Sequence, residues 1–381
     1  MTPNDVIVVG AGPAGASAAY WLGEAGKRVL VLEKEALPRY KPCGGGVPQA
    51  VLERFPFSFS RVIETWVRFV RFRFRDELEV TTQLPAGAVA MVMRDQFDLH
   101  LLDHAQVQVR DRSEVMALQQ DEAGVTVITA KGEVFQARHL IGADGANSRV
   151  ARLVGLEQEI RMGFAIEAEA PVSDGLMEEY ANTALFVFGV APRGYLWVFP
   201  KADHLSVGIG ALQEQVPAIS RNLEHEMGRL GVEIGEVRQR GQRLPLHRGP
   251  SRVHQGRVLL IGDAAGLVDP LIGEGIRHAV NSGRLAAESI LVDDLGGYSR
   301  RVDREIGCDL RWGRLWAQLF YRFPWISFQL GVRNPSVVGE FLSLMAGRSS
   351  YRRMASRALP NLLLGLAQRL HAHPPSIAHS L

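Results

Sequence analysis

Cysteine is scarce in this 381-residue chain, which contains only Cys43 and Cys308. Two cysteines cannot build a disulfide framework or a zinc ribbon, so both kinds of cross-linked small domain are excluded. Long hydrophobic segments are also missing, since no uninterrupted apolar run reaches the ~18 residues of a membrane-spanning helix. We expect no signal peptide, because the first predicted strand already begins at Asp5. We therefore expect a cytoplasmic protein, with peripheral attachment to a membrane left open.

The net charge is small, +2 at pH 7, but it is unevenly distributed. Residues 301–381 contain eleven arginines, no lysine and four carboxylates, which gives +7, so the remainder sums to −5. A cationic C-terminal part favours an anionic partner such as a membrane surface. We expect no nucleic-acid partner.

A glycine-rich turn follows the first predicted strand. The segment Asp5–Val9 is a mostly apolar run, typical of a central parallel strand covered on both faces. The turn itself is Gly10-Ala11-Gly12-Pro13-Ala14-Gly15. At this spacing the first glycine permits the tight turn, the second lets a pyrophosphate approach the backbone, and the third allows close packing of helix on strand.

The next segments complete a dinucleotide-binding unit. A helix is predicted from Pro13 to Ala25, and its N-terminus offers free N–H groups and a positive dipole end to the phosphates. A second strand, Arg28–Leu32, ends at Glu33, which is placed to accept hydrogen bonds from a ribose. Lys34 follows and is included in the predicted site. An acid at this position favours a ribose without a 2′-phosphate.

A second glycine-containing segment follows the apolar strand Val258–Ile261. It begins Gly262-Asp263-Ala264-Ala265-Gly266 and continues through Gly273-Glu274-Gly275-Ile276 to the start of a helix. An acid after a strand can bind the hydroxyls of a polyol chain, and the ribityl chain of a flavin is such a polyol. The two glycine segments together predict bound FAD. The alternative for Asp263 is a helix N-cap with no ligand.

Two further motifs resemble those of aromatic hydroxylase-type flavoproteins. The segment from Arg94 to Leu101 resembles a helix start common in that superfamily, which implies that Arg94 contacts the cofactor and that Asp98 is structural. The segment from His139 to Ser148 resembles its Asp-Gly motif and contributes Asp144 to the predicted cofactor site.

The predicted fold class is α/β with α+β insertions, because segments rich in alternating strands separate the cofactor motifs. A hairpin is predicted from Trp66–Phe74 and Leu78–Gln83, and further strands between Gly163 and Gln213. The expected domains are a discontinuous Rossmann-type FAD-binding domain (1–60, 94–160 and 250–300), a mostly antiparallel substrate domain (61–93 and 161–249) and a C-terminal helical region (301–381).

Three motifs narrow the superfamily. They are Arg39-Tyr40-Lys41-Pro42-Cys43-Gly44-Gly45-Gly46-Val47, Gly194-Tyr195-Leu196-Trp197-Val198-Phe199-Pro200-Lys201 and Asp269-Pro270-Leu271-Ile272-Gly273-Glu274-Gly275-Ile276. The set resembles the geranylgeranyl reductase family of FAD-dependent enzymes over roughly residues 1–300. The resemblance implies reduction of isoprenoid double bonds on a prenyl diphosphate, chlorophyll precursor, lipid or quinone. No second glycine fingerprint follows a strand, so we expect NADPH to dock transiently or an electron-carrier protein to act as reductant.

The chemistry implied by this resemblance needs a hydride from flavin N5 and a proton for the other alkene carbon. Gly44, Gly45 and Gly46 are small enough to let a bulky apolar chain lie against the flavin. Cys43 is a candidate proton donor or gate to proton delivery, and the alternative is a small buried filler.

Tyr195 and Trp197 alternate along a predicted strand and therefore face the same side of it. They form either an aromatic wall lining an apolar tunnel or ordinary core packing, and the sequence does not separate the two.

Beyond residue 300 the motifs stop and apolar residues recur at helical spacing from Trp312 to Phe323. This stripe is either core or an amphipathic surface that docks on anionic lipid. A further apolar segment, Leu359–Leu370, precedes a tail from His371 to Leu381 that we expect to be frayed.

We predict no bound ligand at two further clusters, one of arginines and one of histidines. Arg71, Arg73 and Arg75 share one strand face and are expected to be solvated, and His100 and His104 lack the further ligands of a metal site.

The competing hypotheses are three. An FAD-dependent aromatic hydroxylase-type monooxygenase shares the cofactor motifs but is disfavoured by the segment Pro42–Gly46. A flavin-dependent halogenase is disfavoured because residues 61–95 contain no lysine. A non-catalytic carrier of flavin and prenyl lipid is the alternative outside enzymes.

Overall fold

The computed structural model describes residues 4–156, 161–213, 216, 218–232 and 237–357. The predicted segment Leu359–Leu370 and the tail after it lie outside these residues. The strands are β1 (Asn4–Val9), β2 (Val29–Leu32), β3 (Gly46–Pro48), β4 (Ile63–Val67), β5 (Phe69–Phe74), β6 (Leu78–Gln83), β7 (Val89–Val92), β8 (Gln108–Arg110), β9 (Val115–Gln120), β10 (Val125–Thr129), β11 (Val134–Gly142), β12 (Arg161–Ala170), β13 (Thr183–Phe188), β14 (Gly194–Pro200), β15 (Leu205–Ala211), β16 (Gln239–Leu246), β17 (His254–Gln255) and β18 (Val258–Leu260).

The helices are α1 (Pro13–Glu24), α2 (Gln49–Leu52), α3 (Arg94–Asp103), α4 (Arg149–Leu153), α5 (Asp174–Tyr180), α6 (Ile219–Arg229), α7 (Ile276–Leu291), α8 (Tyr298–Val302), α9 (Cys308–Arg322), α10 (Pro324–Ser327) and α11 (Pro335–Met345). A 3₁₀ turn covers Gly262–Ala265, and π-helical turns cover Asp303–Gly307 and Phe328–Val332.

The first sheet is the doubly wound, Rossmann-type part of the molecule. Its strand order is β17-β18-β11-β1-β2-β8, and the five strands from β18 to β8 run parallel. Val6, Ile7 and Val8 of β1 are fully buried, because helices cover both faces of a parallel sheet. The hairpin β9–β10 extends β11 at the edge. Helices α1 and α7 pack together against this sheet and place both predicted glycine segments at its carboxyl edge.

The second sheet has the order β16-β12-β15-β14-β13-β5-β6. All its neighbours are antiparallel except β13 and β5. The central strands β13 and β15 are buried along their whole length, so this sheet has its own core. The expected mostly antiparallel second sheet is thus confirmed.

One strand prediction is wrong at its start. The run Trp66–Phe74 is two strands, because β4 ends at Val67 in a small sheet with order β3-β7-β4 while β5 begins at Phe69 in the second sheet. The amides of Arg68 and Phe69 both donate to the carbonyl of Asn182, which turns the chain from one sheet into the other. The remainder, β5 with β6, forms the expected hairpin.

The arginine cluster of β5 and the pair His100 and His104, for which we predicted no ligand, contact other parts of the protein. Arg71 alternates with the buried Phe72 on β5 and pairs with Glu179 at 2.9 Å. His100 and His104 hydrogen-bond to backbone carbonyl oxygens at 2.8 Å, and both rings pack on Phe57.

The described part of the C-terminal region, residues 301–357, is largely helical, as expected. On α9 Leu310, Gly313 and Ala317 are buried, whereas Leu315 and Leu319 are more than half exposed. The stripe from Trp312 to Phe323 therefore has both an inner, packed side and an outer, apolar surface. Among the helices of the described residues, none has the length and hydropathy needed to cross a membrane.

Candidate functional site

Most of the predicted cofactor-binding residues line one cleft along the carboxyl edge of the first sheet. They are Gly10, Gly12, Pro13, Ala14, Glu33, Lys34, Arg94, Asp144, Asp263, Gly273, Gly275 and Ile276. The cleft encloses about 2360 Å³, including its open mouth. Gly15 and Gly262 lie behind its wall, where Gly15 touches the backbone of Gly10 and Gly262 lies against Ala14.

The glycines of the first turn have different physical roles. A Cβ at Gly15 would lie 1.9 Å from the carbonyl oxygen of Gly10, so this position must be glycine for α1 to pack on β1. At Gly12 the nearest protein atom to such a Cβ is Arg39 Nη2 at 3.5 Å. The protein itself therefore leaves Gly12 open toward the cleft, and a Cβ there would occupy ligand space at the N-terminus of α1.

Glu33 braces the glycine turn from the end of β2. Its Oε2 accepts a hydrogen bond from the amide of Ala11 at 2.8 Å, and its Oε1 accepts one from the amide of Glu35 at 3.1 Å. Arg39 Nε lies 3.3 Å from the same carboxylate. The side chain is buried, so its negative charge stabilises the turn as well as lining the cleft. The predicted ribose contact stays a prediction, as does a cofactor contact of Lys34, which is exposed beside Glu35.

Two guanidinium groups are held beside the cleft by one buried carboxylate. Arg94 donates from Nε and Nη2 to both oxygens of Asp98, at 2.9 and 2.8 Å, across one turn of α3. Arg39 Nη1 lies 3.3 Å from Asp98 Oδ2. Asp98 is 1% exposed and does not line the cleft, in agreement with the structural role that the motif implied. It orients Arg94, which does line the cleft.

Asp144 caps α4 from its cleft position. Its Oδ1 accepts from Ser148 Oγ at 2.6 Å, and its Oδ2 accepts from the amides of Arg149 and Val150 at 2.7 and 3.0 Å. A carboxylate at a helix N-terminus is stabilised by the helix dipole. The side chain is therefore already engaged, and its predicted contact with the cofactor stays a prediction.

Asp263 lies in the 3₁₀ turn after β18, at the far end of the cleft. Burial raises the pKa of its carboxyl group, and the positive charges of Lys41 and Arg94 act in the opposite direction. Lys41 also donates to Gln242 Oε1 at 2.9 Å and joins the cleft to the second sheet. A half-buried acid between two cations suits a polyol hydroxyl better than a phosphate.

An apolar cavity adjoins the cleft and encloses about 1260 Å³, including its mouth. All the predicted catalytic residues line it: Cys43, Gly44, Gly45, Gly46, Tyr195 and Trp197. The cavity and the cleft share eight lining residues: Pro42, Cys43, Arg240, Gln242, Leu244, Gly273, Gly275 and Ile276. An apolar chain in the cavity would thus reach the end of a dinucleotide in the cleft.

The three consecutive glycines, Gly44 to Gly46, lack a side chain for different structural reasons. A Cβ at Gly44 would lie 2.7 Å from the ring of Phe199, and one at Gly45 would lie 2.1 Å from the carbonyl oxygen of Val92. Gly45 also has φ +71, which favours glycine. At Gly46 no protein atom comes nearer than 3.9 Å. Packing within the protein therefore explains Gly44 and Gly45, while the expectation of room for a substrate chain fits Gly46 best.

Tyr195 and Trp197 both face the cavity from β14. The phenol of Tyr195 donates to the carbonyl oxygen of Ile272, and the indole of Trp197 lies directly on Gly208 of β15. Their shared side is confirmed by this geometry. Each ring packs against protein and lines the cavity at the same time, so their role toward a substrate stays a prediction.

Two buried charged residues near the cavity were not among the predicted site residues, and of these only Glu167 lines it. Lys201, 3% exposed, donates from Nζ to the carbonyl oxygens of Gly44 and Val92 at 2.9 and 2.8 Å. Burial lowers the pKa of its ammonium group. Its position directly after the Tyr-x-Trp-x-Phe-Pro motif was the available signal, since the chain has only five lysines.

Glu167, on β12, is the second missed residue. It is 2% exposed and accepts a hydrogen bond from Tyr40 Oη at 2.9 Å. Burial raises the pKa of its carboxyl group to about 7. Its signal was a pair of acids, Glu167 and Glu169, in an otherwise apolar strand pattern.

The C-terminal region also reaches the site. Tyr351 donates to both oxygens of the fully buried Asp269, at 3.0 and 2.8 Å, and Tyr321 donates to the carbonyl oxygen of Leu271 at 3.0 Å. Asp269 in turn accepts from the amides of Leu271 and Ile272 at 2.7 and 3.0 Å. The loop 269–275, which closes the cofactor site, is thus held by residues that contain no recognisable motif.

These features define a flavoprotein with a dinucleotide cleft of the FAD type. The sequence profile of the FAD binding domain family matches residues 4–291 of the chain, and the open Gly12, the α1 N-terminus and the half-buried Asp263 fit that cofactor. FAD is therefore the cofactor.

Geranylgeranyl diphosphate reductase of rice chloroplasts (Oryza sativa subsp. japonica) is 32% identical over 349 residues, covering 85% of this chain and 73% of the relative. Menaquinone reductase of Mycobacterium tuberculosis is 30% identical over 315 residues, covering 76% of this chain and 77% of the relative. The chain belongs to the geranylgeranyl reductase family of FAD-dependent oxidoreductases and is an enzyme. A crystal structure of a geranylgeranyl bacteriochlorophyll reductase-like protein from Thermoplasma acidophilum shares the fold, with TM-score 0.74 at 20% identity, over 96% of this chain and 99% of that chain.

Proposed function

We propose that this protein reduces carbon–carbon double bonds of a prenyl chain. The observation that carries the proposal is the meeting of an apolar cavity with the FAD cleft at Cys43 and at Gly273–Ile276. FAD, when bound and reduced, supplies a hydride. The protein's part is to bind the chain, to hold one double bond beside the cleft, to exclude water and to supply a proton.

The walls of the cavity suit an isoprenoid chain. They are mostly aliphatic and aromatic and include Trp197, Tyr195, Phe199, Val67, Val70 and Leu84. Burial of such a chain is favourable by about 25 cal/mol per Å² of apolar surface. The head group belongs to one of four classes, a diphosphate, a chlorophyll precursor, a lipid or a quinone. Relatives named for geranylgeranyl diphosphate and for menaquinone support this range.

Each cofactor residue has a proposed task. The N-terminus of α1, with Gly12, Pro13 and Ala14, binds the pyrophosphate, and Glu33 accepts from the ribose. Asp263 accepts from the ribityl chain, and Arg94 contacts the flavin end. Residues 61–93 and 161–249 form the substrate domain in this proposal, and residues 1–60, 94–160 and 250–300 the FAD-binding domain.

Cys43 is proposed to donate the proton or to gate its delivery. The Sγ atom accepts a hydrogen bond from the amide of Gly45 at 3.4 Å, within the loop that joins cleft and cavity. The reductant that reloads the flavin is proposed to be NADPH, docking transiently, or an electron-carrier protein.

We further propose that the protein docks on an anionic membrane to collect its substrate. Six large apolar residues at or near the outer side of α9 and α10 are between 38% and 56% exposed: Trp312, Leu315, Leu319, Phe323, Trp325 and Ile326. Contiguous exposed apolar surface of this kind marks a docking site. The +7 balance of residues 301–381 supplies the attraction to anionic lipid. Sedimentation with anionic but not with neutral vesicles at low salt is the expected result, and no sedimentation with either would contradict it.

The reaction is tested with purified, FAD-loaded protein reduced anaerobically by dithionite. Addition of geranylgeranyl diphosphate should reoxidise the flavin, with a gain of two hydrogens per flavin in the product by mass spectrometry. Lipid binding without hydrogen gain under any reductant would instead identify a carrier. Reoxidation only on admission of air, with oxygen consumption coupled to NADPH, would identify a monooxygenase.

A further inference from the structure

Glu167 is a buried carboxyl group in the wall of the apolar cavity. It lies in the middle of β12, and its side chain lines the cavity together with Cys43 and Trp197. Burial of an ionised carboxylate is costly unless the group is hydrogen-bonded or takes up a proton. Oε1 accepts the hydrogen bond from Tyr40, whereas Oε2 is buried without a hydrogen-bond partner among the described residues. One oxygen is therefore available to hold a proton.

The charges around Glu167 are few and mixed in sign. Arg240 lies opposite it on β16, and Glu169 lies two residues along β12. The backbone position opposite it on β15 is Gly208, which has no charge. Burial raises the pKa of Glu167 to about 7, against the hydrogen bond from Tyr40, the charge of Lys201 just after β14, and the backbone amide of Cys43, which all favour the ionised form. The carboxyl group therefore keeps its proton to a higher pH than an exposed glutamate does.

Tyr40 connects Glu167 with the open cleft. Its ring is 37% exposed and lines the cleft, and the guanidinium of Arg240 lies 4.8 Å from the ring centroid. Burial on its inner side, together with Glu167, raises the pKa of the Tyr40 phenol well above its usual range, so the phenol keeps its proton. Tyr40 thus spans the distance between the cleft, where its ring is exposed, and the acid in the cavity wall, to which its hydroxyl donates.

We propose that Glu167 is the acid that supplies the proton for reduction of the alkene, and that Tyr40 reloads it from the cleft. The inference rests on the prenyl reductase function proposed above. Reduced FAD, when bound, would supply the electron pair as a hydride, with loss of its N5–H bond, to one alkene carbon as the π bond breaks. The Glu167 O–H bond breaks and a second C–H bond forms at the other carbon. Glu167 is left as a carboxylate and receives a proton from Tyr40 in the same step in which Tyr40 takes one from solvent, so that no phenolate forms. Of the two roles proposed for Cys43, proton donor and gate to proton delivery, only the second then remains.

The test compares Glu167→Gln with Glu169→Gln, a matched change two residues along the same strand. FAD-loaded proteins are reduced by dithionite, and a single turnover with geranylgeranyl diphosphate is followed by flavin reoxidation. Glu167→Gln should slow the turnover by about 10²–10⁴-fold, the usual range for loss of a general acid. Glu169→Gln should stay within about threefold. The wild-type rate should fall as the pH rises through about 7, because Glu167 then loses its proton.

A titration that does not depend on activity accompanies this. In wild-type protein with ¹³C-labelled glutamate, one carboxyl resonance should titrate near pH 7. That resonance should vanish in Glu167→Gln and persist in Glu169→Gln. A spectrum without it would overturn the assignment of the acid.

The possible outcomes separate the two proposals. A wild-type protein that reduces the prenyl chain while Glu167→Gln does so at the same rate would overturn this inference and leave the proposed function intact. A wild-type protein that reduces no prenyl substrate would overturn both. If Glu167→Gln does not retain FAD, Tyr40→Phe decides instead. It should slow the turnovers after the first more than the first one, and the wild-type ratio of the two rates would overturn the relay through Tyr40.

Discussion

The FAD cleft and the apolar cavity share a boundary but are built differently. At the N-terminus of α1 the cleft takes its geometry from the backbone, because one short segment with glycine at fixed spacing forms the strand–helix turn, as at Gly15. The cavity is formed by side chains from residues far apart in the chain. Tyr40 meets Glu167 across 127 positions, and Lys201 meets Gly44 across 157. A phosphate of constant shape can be bound by local backbone, whereas an apolar chain needs a wall assembled by the whole fold.

The comparison is sharpest at Gly12. Gly12→Ala should weaken FAD binding by about 100-fold, or ~3 kcal/mol, because the new methyl group points into ligand space rather than into protein. The free energy of unfolding of the FAD-free protein should change by less than about 0.5 kcal/mol. FAD titration and chemical denaturation measure the two quantities. The control is Gly228→Ala on α6, where an added Cβ would meet no other atom within 4 Å. If Gly12→Ala instead destabilised the FAD-free protein, Gly12 would be required for folding and not for leaving room for FAD.

At the loop around Gly44, which lies between cleft and cavity, we expect a substitution to lower stability and not FAD binding. Lys201→Met removes the donor to the carbonyl oxygens of Gly44 and Val92, so the free energy of unfolding should fall by about 1–3 kcal/mol. FAD content should stay near that of the wild type, while single-turnover reduction of the prenyl chain slows. Lys131→Met, at an exposed turn, should change neither quantity. Loss of FAD from Lys201→Met would mean that the loop belongs to the cleft.

The cavity wall is tested with Trp197→Ala. We expect the dissociation constant of geranylgeranyl diphosphate to rise about tenfold, which is ~1.4 kcal/mol, and that of dimethylallyl diphosphate to change by less than about threefold. The longer chain loses more because it alone reaches along the wall. Trp312→Ala, an exposed tryptophan on α9, should affect neither ligand. Equal losses for both ligands would make Trp197 a packing residue only.

The smallest expected effect comes from the C-terminal region. Tyr351→Phe removes one donor to Asp269 but leaves the amides of Leu271 and Ile272, so the free energy of unfolding should fall by about 1 kcal/mol. Hydrogen exchange at those two amides should become faster. Tyr298→Phe, which loses a similar buried hydrogen bond to Leu260, should leave that exchange unchanged. Equal exchange in both variants would show that Tyr351 does not hold the loop.

The sequence predicted more of the cleft than of the cavity, for a physical reason. Glycine spacing after an apolar strand has few structural solutions, so the turn at Gly10–Gly15 and the helix behind it could be predicted from neighbours in the chain. Strand register in the second sheet depends on partners far away, and the break between Val67 and Phe69 was therefore missed. Alternation still predicted that Tyr195 and Trp197 share a side, because that periodicity is local.

The sequence by itself determined that this chain binds FAD in a doubly wound unit and carries the motifs of a geranylgeranyl reductase, since those features lie within short contiguous segments. Only the tertiary structure decided which distant polar groups are buried together. Three hydrogen bonds join such groups: Lys201 to Gly44, Tyr40 to Glu167, and Tyr351 to Asp269. In water the side chains of lysine, glutamate and tyrosine have their usual pKa values and bind mainly water. When the fold buries them, their pKa values shift and each side chain depends on a particular hydrogen-bond partner.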